Sequence, residues 1–249
     1  MSSDPREASV HSWDVSTGVD GPGTRFVLFL AGCPLRCLYC QNPDTWHMRD
    51  GRRMHLDDIM DEVGRYDRFL RVAHGGVTVS GGEPLLQSEF VTEFFGASRA
   101  SGLTTALDTS GFLGVRADDA LLAVTDLVLL DIKSFDPGTY HRLTGKEVGP
   151  TLDFARRLAG RGTTMWIRFV LVPGVTDDPD NVAGLADFIA RLGPAVERVE
   201  ILPFHRLGAH KYESLRLRFP LEDTPSPDAE LIERTRSQFA ERHLPVLSA

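Results

Sequence analysis

No stretch of the 249-residue sequence is apolar over the ~18 positions a membrane-spanning helix needs. The first dozen residues, MSSDPREASVHS, are polar and carry acids, unlike a secretory leader. Both absences lead to the expectation of a cytoplasmic protein without a membrane partner. Basic character is also lacking, since 35 acidic residues outnumber 27 Lys and Arg, the net charge is −8 and no Lys/Arg block occurs. Nucleic-acid binders present a basic face to the phosphate backbone, so neither DNA nor RNA is expected as a partner. Cysteine is scarce too, with three residues, all between positions 33 and 40. Three thiols cannot all pair as disulfides, and so tight a group in an intracellular chain asks for a chemical reason.

What is present is ordinary globular composition, 42% hydrophobic and 25% charged, in a chain long enough for one large buried core. A single domain over 1–249 is expected, with its core at about 20–211. From about residue 25, short apolar runs alternate with amphipathic ones. The runs at 25–31, 76–80, 103–108, 127–131, 165–172 and 199–202 are mostly continuously apolar, which suits strands covered on both faces of a parallel sheet. Between them, Leu56, Ile59, Met60, Val63, Tyr66, Phe69 and Leu70 recur at helical spacing, as do Phe90, Val91, Phe94 and Phe95 after a cap at Ser88, and Val182, Leu185, Phe188 and Ile189. A last helix is expected over about 227–243, with Ser226 as its cap and Pro227 at its first position. Repeated β-α units with right-handed crossovers imply a mostly parallel sheet. Six units are too few for an eight-fold barrel, so the expected fold is α/β, a partial (β/α)6 TIM-type barrel. The segment 203–225, rich in Pro, His and Arg, reads as a functional loop.

The cysteines read Cys33-Pro-Leu-Arg-Cys37-Leu-Tyr-Cys40, in the loop after the first candidate strand. Zinc structural sites usually take four ligands in two short-spaced pairs, and no second pair exists. A [4Fe–4S] cluster on three thiolates keeps one iron open, which suits a cofactor that must chelate iron. A zinc site completed by a histidine such as His47, a non-catalytic electron carrier and three buried, inert cysteines remain as alternatives.

Around the triplet stand further ordered motifs: DGPGTRFVLFLAGCPLRCLYCQNPDTW, GVTVSGGEPLLQ, LDTSG, DLVLLDIK, WIRFVLVPGVTDD and LPFHRLGAHKY. With these the chain, from about Asp20 to Lys211, resembles the pyruvate formate-lyase activating enzymes, glycyl-radical-enzyme activases of the radical S-adenosylmethionine (SAM) superfamily. The motifs fall at the C-terminal ends of successive candidate strands, the rim where α/β barrels build their sites. The resemblance implies that Cys33, Cys37 and Cys40 hold the [4Fe–4S] cluster. It implies SAM contacts at Tyr39, Gln41, Gly81, Gly82, Glu83, Asp131, Lys133, Arg168 and His205. It implies a sodium or potassium site at Asp108, Thr109, Asp131 and the Leu129 carbonyl, whose oxygen donors suit a hard cation. Asp20 would contact the substrate loop.

The implied reaction is reductive cleavage of SAM, with electrons from a flavodoxin-type donor, and abstraction of a hydrogen atom from a backbone glycine of pyruvate formate-lyase. The activase of another glycyl radical enzyme, or a small-molecule radical SAM enzyme, is the alternative within the superfamily. Many other activases insert a cysteine-rich segment that this chain lacks. The chain is expected to act as a monomer. Gln41 departs from close members of the resembling family, which carry histidine there, and loses a titratable group.

Overall fold

The computed structural model describes residues 4–248. Its contacts divide the chain into two compact units. One comprises residues up to 34, 45–109 and 113–129; the other comprises 35–44, 110–112 and everything from 130 onward.

The first unit holds β1 (Glu7–Thr17), β2 (Thr24–Leu30), β3 (Arg52–His55), α1 (Leu56–Val72), β4 (Gly76–Gly81), α2 (Ser88–Ala100), β5 (Thr104–Thr109) and α3 (Asp119–Ala123). Its strands run in the order β3-β1-β2-β4-β5, with β1 antiparallel to both neighbours and β2, β4 and β5 parallel. The strand β6 (Leu127–Asp131) begins in this unit and ends in the second. There follow α4 (Pro137–Thr144), α5 (Gly149–Arg161), β7 (Met165–Leu171), α6 (Pro179–Ala190), β8 (Val196–Pro203), α7 (Ala209–Ser214), α8 (Ala229–Ala240) and β9 (Val246–Ser248). In the second unit β7, β8 and β9 are parallel in that order. The fold is thus mixed α/β with mostly parallel strands, as the alternation of apolar runs implies.

All six anticipated strands are present, as β2 and β4 to β8. β2 and β7 are buried almost throughout, each showing six buried residues in seven, as apolar runs covered on two faces should be, whereas β8 buries only three of its eight. In the first unit the strand starts are tied by Arg25, a cation with 1% of its surface exposed. Its guanidinium donates to Thr78 Oγ1 at 3.0 Å, to Thr104 Oγ1 at 2.6 Å and to the Val77 carbonyl, and burial lowers its pKa to about 10.

Several expectations are corrected. Phe69 is 56% exposed, so it leaves the buried face of α1, where Leu56, Ile59, Val63 and Leu70 remain; at 3.6 residues per turn it points roughly 90° away from the Ile59–Leu70 line. Ser88 is the first residue of α2, not its cap; Gln87 precedes it and turns its amide to Ser9 and Ala31 instead. The last helix starts at Ala229, because Asp228 accepts from the Leu231 N–H at 2.8 Å and caps it there. The segment 203–225 is not loop throughout, since it contains α7. Beneath α7, Tyr212 meets Phe219 edge-on with ring centroids 5.1 Å apart, and Phe219 stacks on Phe204 at 6.3 Å.

Candidate active site

Most of the residues singled out from sequence sit at or just beyond the C-terminal ends of parallel strands. In the first unit β2 ends at Leu30, three residues before Cys33, whose N–H donates to the Trp46 carbonyl at 3.0 Å. Gly81 closes β4 with φ +108°, and a Cβ there would lie 2.4 Å from the Leu30 carbonyl oxygen, so only glycine lets the two strand ends meet. The Gly82 N–H donates to that Leu30 carbonyl at 2.8 Å, and the Glu83 N–H to the Gly32 carbonyl at 2.8 Å. Backbone bonds therefore fix the GGE turn against the start of the cysteine loop.

Glu83 itself is 1% exposed. Its carboxylate accepts from the Leu85 N–H at 3.2 Å and from Thr109 Oγ1 at 2.5 Å. Asp108, beside Thr109 at the end of β5, accepts from Ser80 Oγ at 2.6 Å. Gly81, Gly82, Glu83, Asp108 and Thr109 thus form one linked group across the ends of β4 and β5. Leu129, also assigned to the cation site, lies buried inside β6. Asp20 lies apart in the β1–β2 turn, where Ser16 Oγ donates to its carboxylate at 2.6 Å and Thr78 Oγ1 to its carbonyl at 2.6 Å.

In the second unit the cysteine loop runs against the end of α4, with Arg36 N–H bonded to the Thr144 carbonyl and Leu38 N–H to the Leu143 carbonyl. This seats Tyr39 in the interior, 5% exposed, with Lys133 Nζ 5.6 Å from its ring centroid. Lys133 Nζ donates to Asp131 at 2.7 Å, so the residues that end β6 bring a cation beside the loop. Burial opposes the charge on Lys133, but the neighbouring anionic groups, Asp131 foremost, outweigh it and hold its pKa well above the ordinary lysine value. Burial pushes the Cys37 thiol up to about 12, with Lys133 pulling in the opposite direction.

Arg168 is placed differently from the other candidates. It lies mid-strand in β7, 7% exposed, opposite Glu200 of β8, whose carboxylate its Nε reaches at 3.1 Å. Glu200 was not anticipated, although an acid inside the otherwise apolar run VEIL was a visible anomaly. Asn181 of α6, whose Oδ1 holds the Ser134 hydroxyl at 2.8 Å just beyond Lys133, carries no signal in the sequence. His205 follows β8 and is exposed, and the Gln41 side chain bonds its carbonyl at 3.1 Å.

The donors present fit an iron–sulfur cluster and a polar cofactor. None of the three cysteines is in a disulfide. Among the described residues no group of three or more His, Cys, Asp or Glu is arranged around a single metal ion. Tyr39 Oη is buried without a hydrogen-bond partner among the described residues, an unmet donor of the kind a bound group satisfies.

Comparison with known proteins agrees with this chemistry. The Radical SAM superfamily model matches residues 27–186, more than half of the chain, which is therefore a radical SAM enzyme. The pyruvate formate-lyase-activating enzyme of Listeria monocytogenes is 43% identical over 229 residues, covering 90% of this chain and 92% of that protein. The pyruvate formate-lyase 1-activating enzyme of Escherichia coli is 43% identical over 230 residues, covering 91% and 93%. A crystal structure of a domain of the pyruvate-formate lyase-activating enzyme from Bacteroides vulgatus superposes with a TM-score of 0.60 at 25% identity, covering 70% of this chain and 99% of that one. The chain belongs to the family of pyruvate formate-lyase-activating enzymes. Among the described residues no helix is long and apolar enough to cross a membrane.

Proposed function

We propose that this protein installs the glycyl radical of a pyruvate formate-lyase. The observation that carries the reading is the 43% identity over nine-tenths of the chain to enzymes named for that activity, supported by a site whose residues suit each task. Cys33, Cys37 and Cys40 would hold a [4Fe–4S] cluster, which when bound would supply the electron for reductive cleavage of SAM and so the radical chemistry at a partner glycine.

The chain's own residues bind, orient and shield. Lys133, kept cationic by Asp131, offers a fixed positive charge for a carboxylate such as that of the methionine moiety. Gly81 and Gly82 bring bare backbone to the edge of the site, where the amino group of SAM can approach closely. Asp108 and Thr109 would supply oxygen donors for a sodium or potassium ion. Tyr39 covers the loop from water and presents its hydroxyl inward, and Arg168 and His205 contribute to the ribose and adenine side. Asp20, steadied by Ser16, meets the partner's glycine loop. Electrons come from a flavodoxin-type donor.

The test is anoxic. Reconstituted, reduced enzyme with SAM should generate a glycyl doublet in the electron paramagnetic resonance spectrum of pyruvate formate-lyase, together with one 5′-deoxyadenosine per radical. SAM cleavage that leaves no radical on that protein, and instead consumes a small metabolite stoichiometrically, would overturn the assignment.

A further inference from the structure

Gln41 follows Cys40 directly, yet its carboxamide faces a distant segment of the chain. Its Oε1 accepts from the Gly208 N–H at 2.8 Å, and its Nε2 donates to the carbonyls of His205 at 3.1 Å and Tyr39 at 3.2 Å. Both amide hydrogens are engaged, so the side chain's donor capacity is exhausted within the protein. Gly208 is fitted to this contact: a Cβ there would lie 2.7 Å from Gln41 Oε1 and 2.9 Å from its Cα. Three residues later Lys211 Nζ reaches Asn42 Oδ1 at 2.8 Å and the Asp44 carboxylate at 3.2 Å. The segment 205–211 is thereby pinned to residues 41–44, with Tyr212 and Phe204 gripping Phe219 at either end.

We infer that Gln41 is a positioning residue, which latches the segment carrying His205 to the cysteine loop and does not itself touch the cofactor. The catalytic consequence rests on the function proposed above; the latch does not. An amide is suited to the task because it reads an N–H and a carbonyl at once and keeps both bonds at any pH. Without it, residues 205–208 would sample more conformations between the anchors at Phe204 and Lys211, and cofactor binding would have to order them each time. Affinity would then fall, while the chemical step, once the segment is ordered, would keep its rate.

Hydrogen exchange and SAM binding on the reconstituted holoenzyme decide the matter. In Gln41→Ala, exchange at Gly208 and across 205–208 should accelerate about tenfold, the loss expected for one or two neutral hydrogen bonds. SAM affinity should drop by a similar factor, with kcat and iron content as in the wild type. Gln41→Glu keeps the acceptor for Gly208 but sets a charge against two carbonyls, so Gly208 should stay protected while the His205 side loosens. Gly208→Ala leaves Gln41 in place and attacks the latch from the other side; it should reproduce the Gln41→Ala pattern. Weaker SAM binding in Gln41→Ala with unchanged exchange would mean direct contact with the cofactor and overturn the inference. Unchanged exchange in both Gln41→Ala and Gly208→Ala would overturn it too. Because exchange is read without turnover, failure of the proposed reaction leaves this comparison intact.

Discussion

A single thiol shows how burial prepares a residue for its ligand. The Cys37 thiol is raised from 9.0 to about 12, by desolvation first and against the pull of Lys133. A partly buried thiol that keeps its proton is inert until something replaces that proton, and a metal centre does that. Without the cluster, the folded chain keeps this proton while the unfolded chain releases it near pH 9, so the folded state binds more protons in the interval and stability falls as pH rises. Urea unfolding of cluster-free protein should therefore show the wild type losing about 2 kcal/mol between about pH 9 and 10.5, at roughly 1.4 kcal/mol per pKa unit. Cys37→Ala should lack that loss. An equal decline in both proteins would assign the effect to another group.

At the scale of the element, the loop after β6 depends on α6. Asn181 is 4% exposed, and its Oδ1 accepts from Ser134 Oγ at 2.8 Å and from the N–H groups of Phe135 and Asp136 at 2.9 Å each; its Nδ2 donates to the Thr176 carbonyl at 2.8 Å. One amide thus satisfies the backbone that carries Lys133 into α4. Asn181→Ala should cost about 3 kcal/mol in urea unfolding, because it strands buried donors, whereas Asn181→Asp, which keeps the acceptor, should cost less. Two equal, small effects would show that water replaces the amide.

Elements announced by a continuous pattern were legible in sequence; those that depend on a distant partner were not. The strands β2, β4, β6 and β7 are almost continuously apolar and declare themselves, and β5 and β8 do so through their shorter apolar runs. By contrast β1 is half-exposed beyond Val10, and β3 and β9, of four and three residues, are too short to show any period. Within the site, the cysteine spacing and the glycine pair could be found from local order, and Asp131 and Lys133 through the resemblance of the DLVLLDIK motif. Gln41 reaches His205 across 164 residues and Asn181 reaches Ser134 across 47, and nothing near either residue signals the partner. The family resemblance placed Glu83 near the cofactor; it could not show that the Leu85 N–H and Thr109 Oγ1 both bond its Oε1.

At the scale of the whole molecule, ligands that bind only the folded state must raise its stability by mass action. The cysteines, the GGE turn and the Asp131–Lys133 pair all belong to structure that exists only when the chain is folded, so an unfolded chain has no equivalent site for SAM. At a hundredfold excess over its dissociation constant, SAM should therefore stabilise the holoenzyme by about 2.7 kcal/mol, which for a chain of this length is a rise in Tm of about 5–10 °C. The rise should depend on the cluster, since its open iron would provide part of the binding. Anoxic thermal unfolding of holoenzyme, of protein stripped with an iron chelator, and of a variant with Cys33, Cys37 and Cys40 all changed to Ser separates the contributions. Chelation should lower the Tm of the wild type and leave the variant unchanged, and SAM should shift only the cluster-bearing protein by the full amount. Adding Asp131→Ala to the wild type should keep the chelator-sensitive step and shrink the SAM step, because its carboxylate orients Lys133 and no thiolate depends on it. A SAM shift of equal size in holoenzyme and triple variant would mean that SAM binds without iron, and the chemistry assigned to the three cysteines would have to be abandoned.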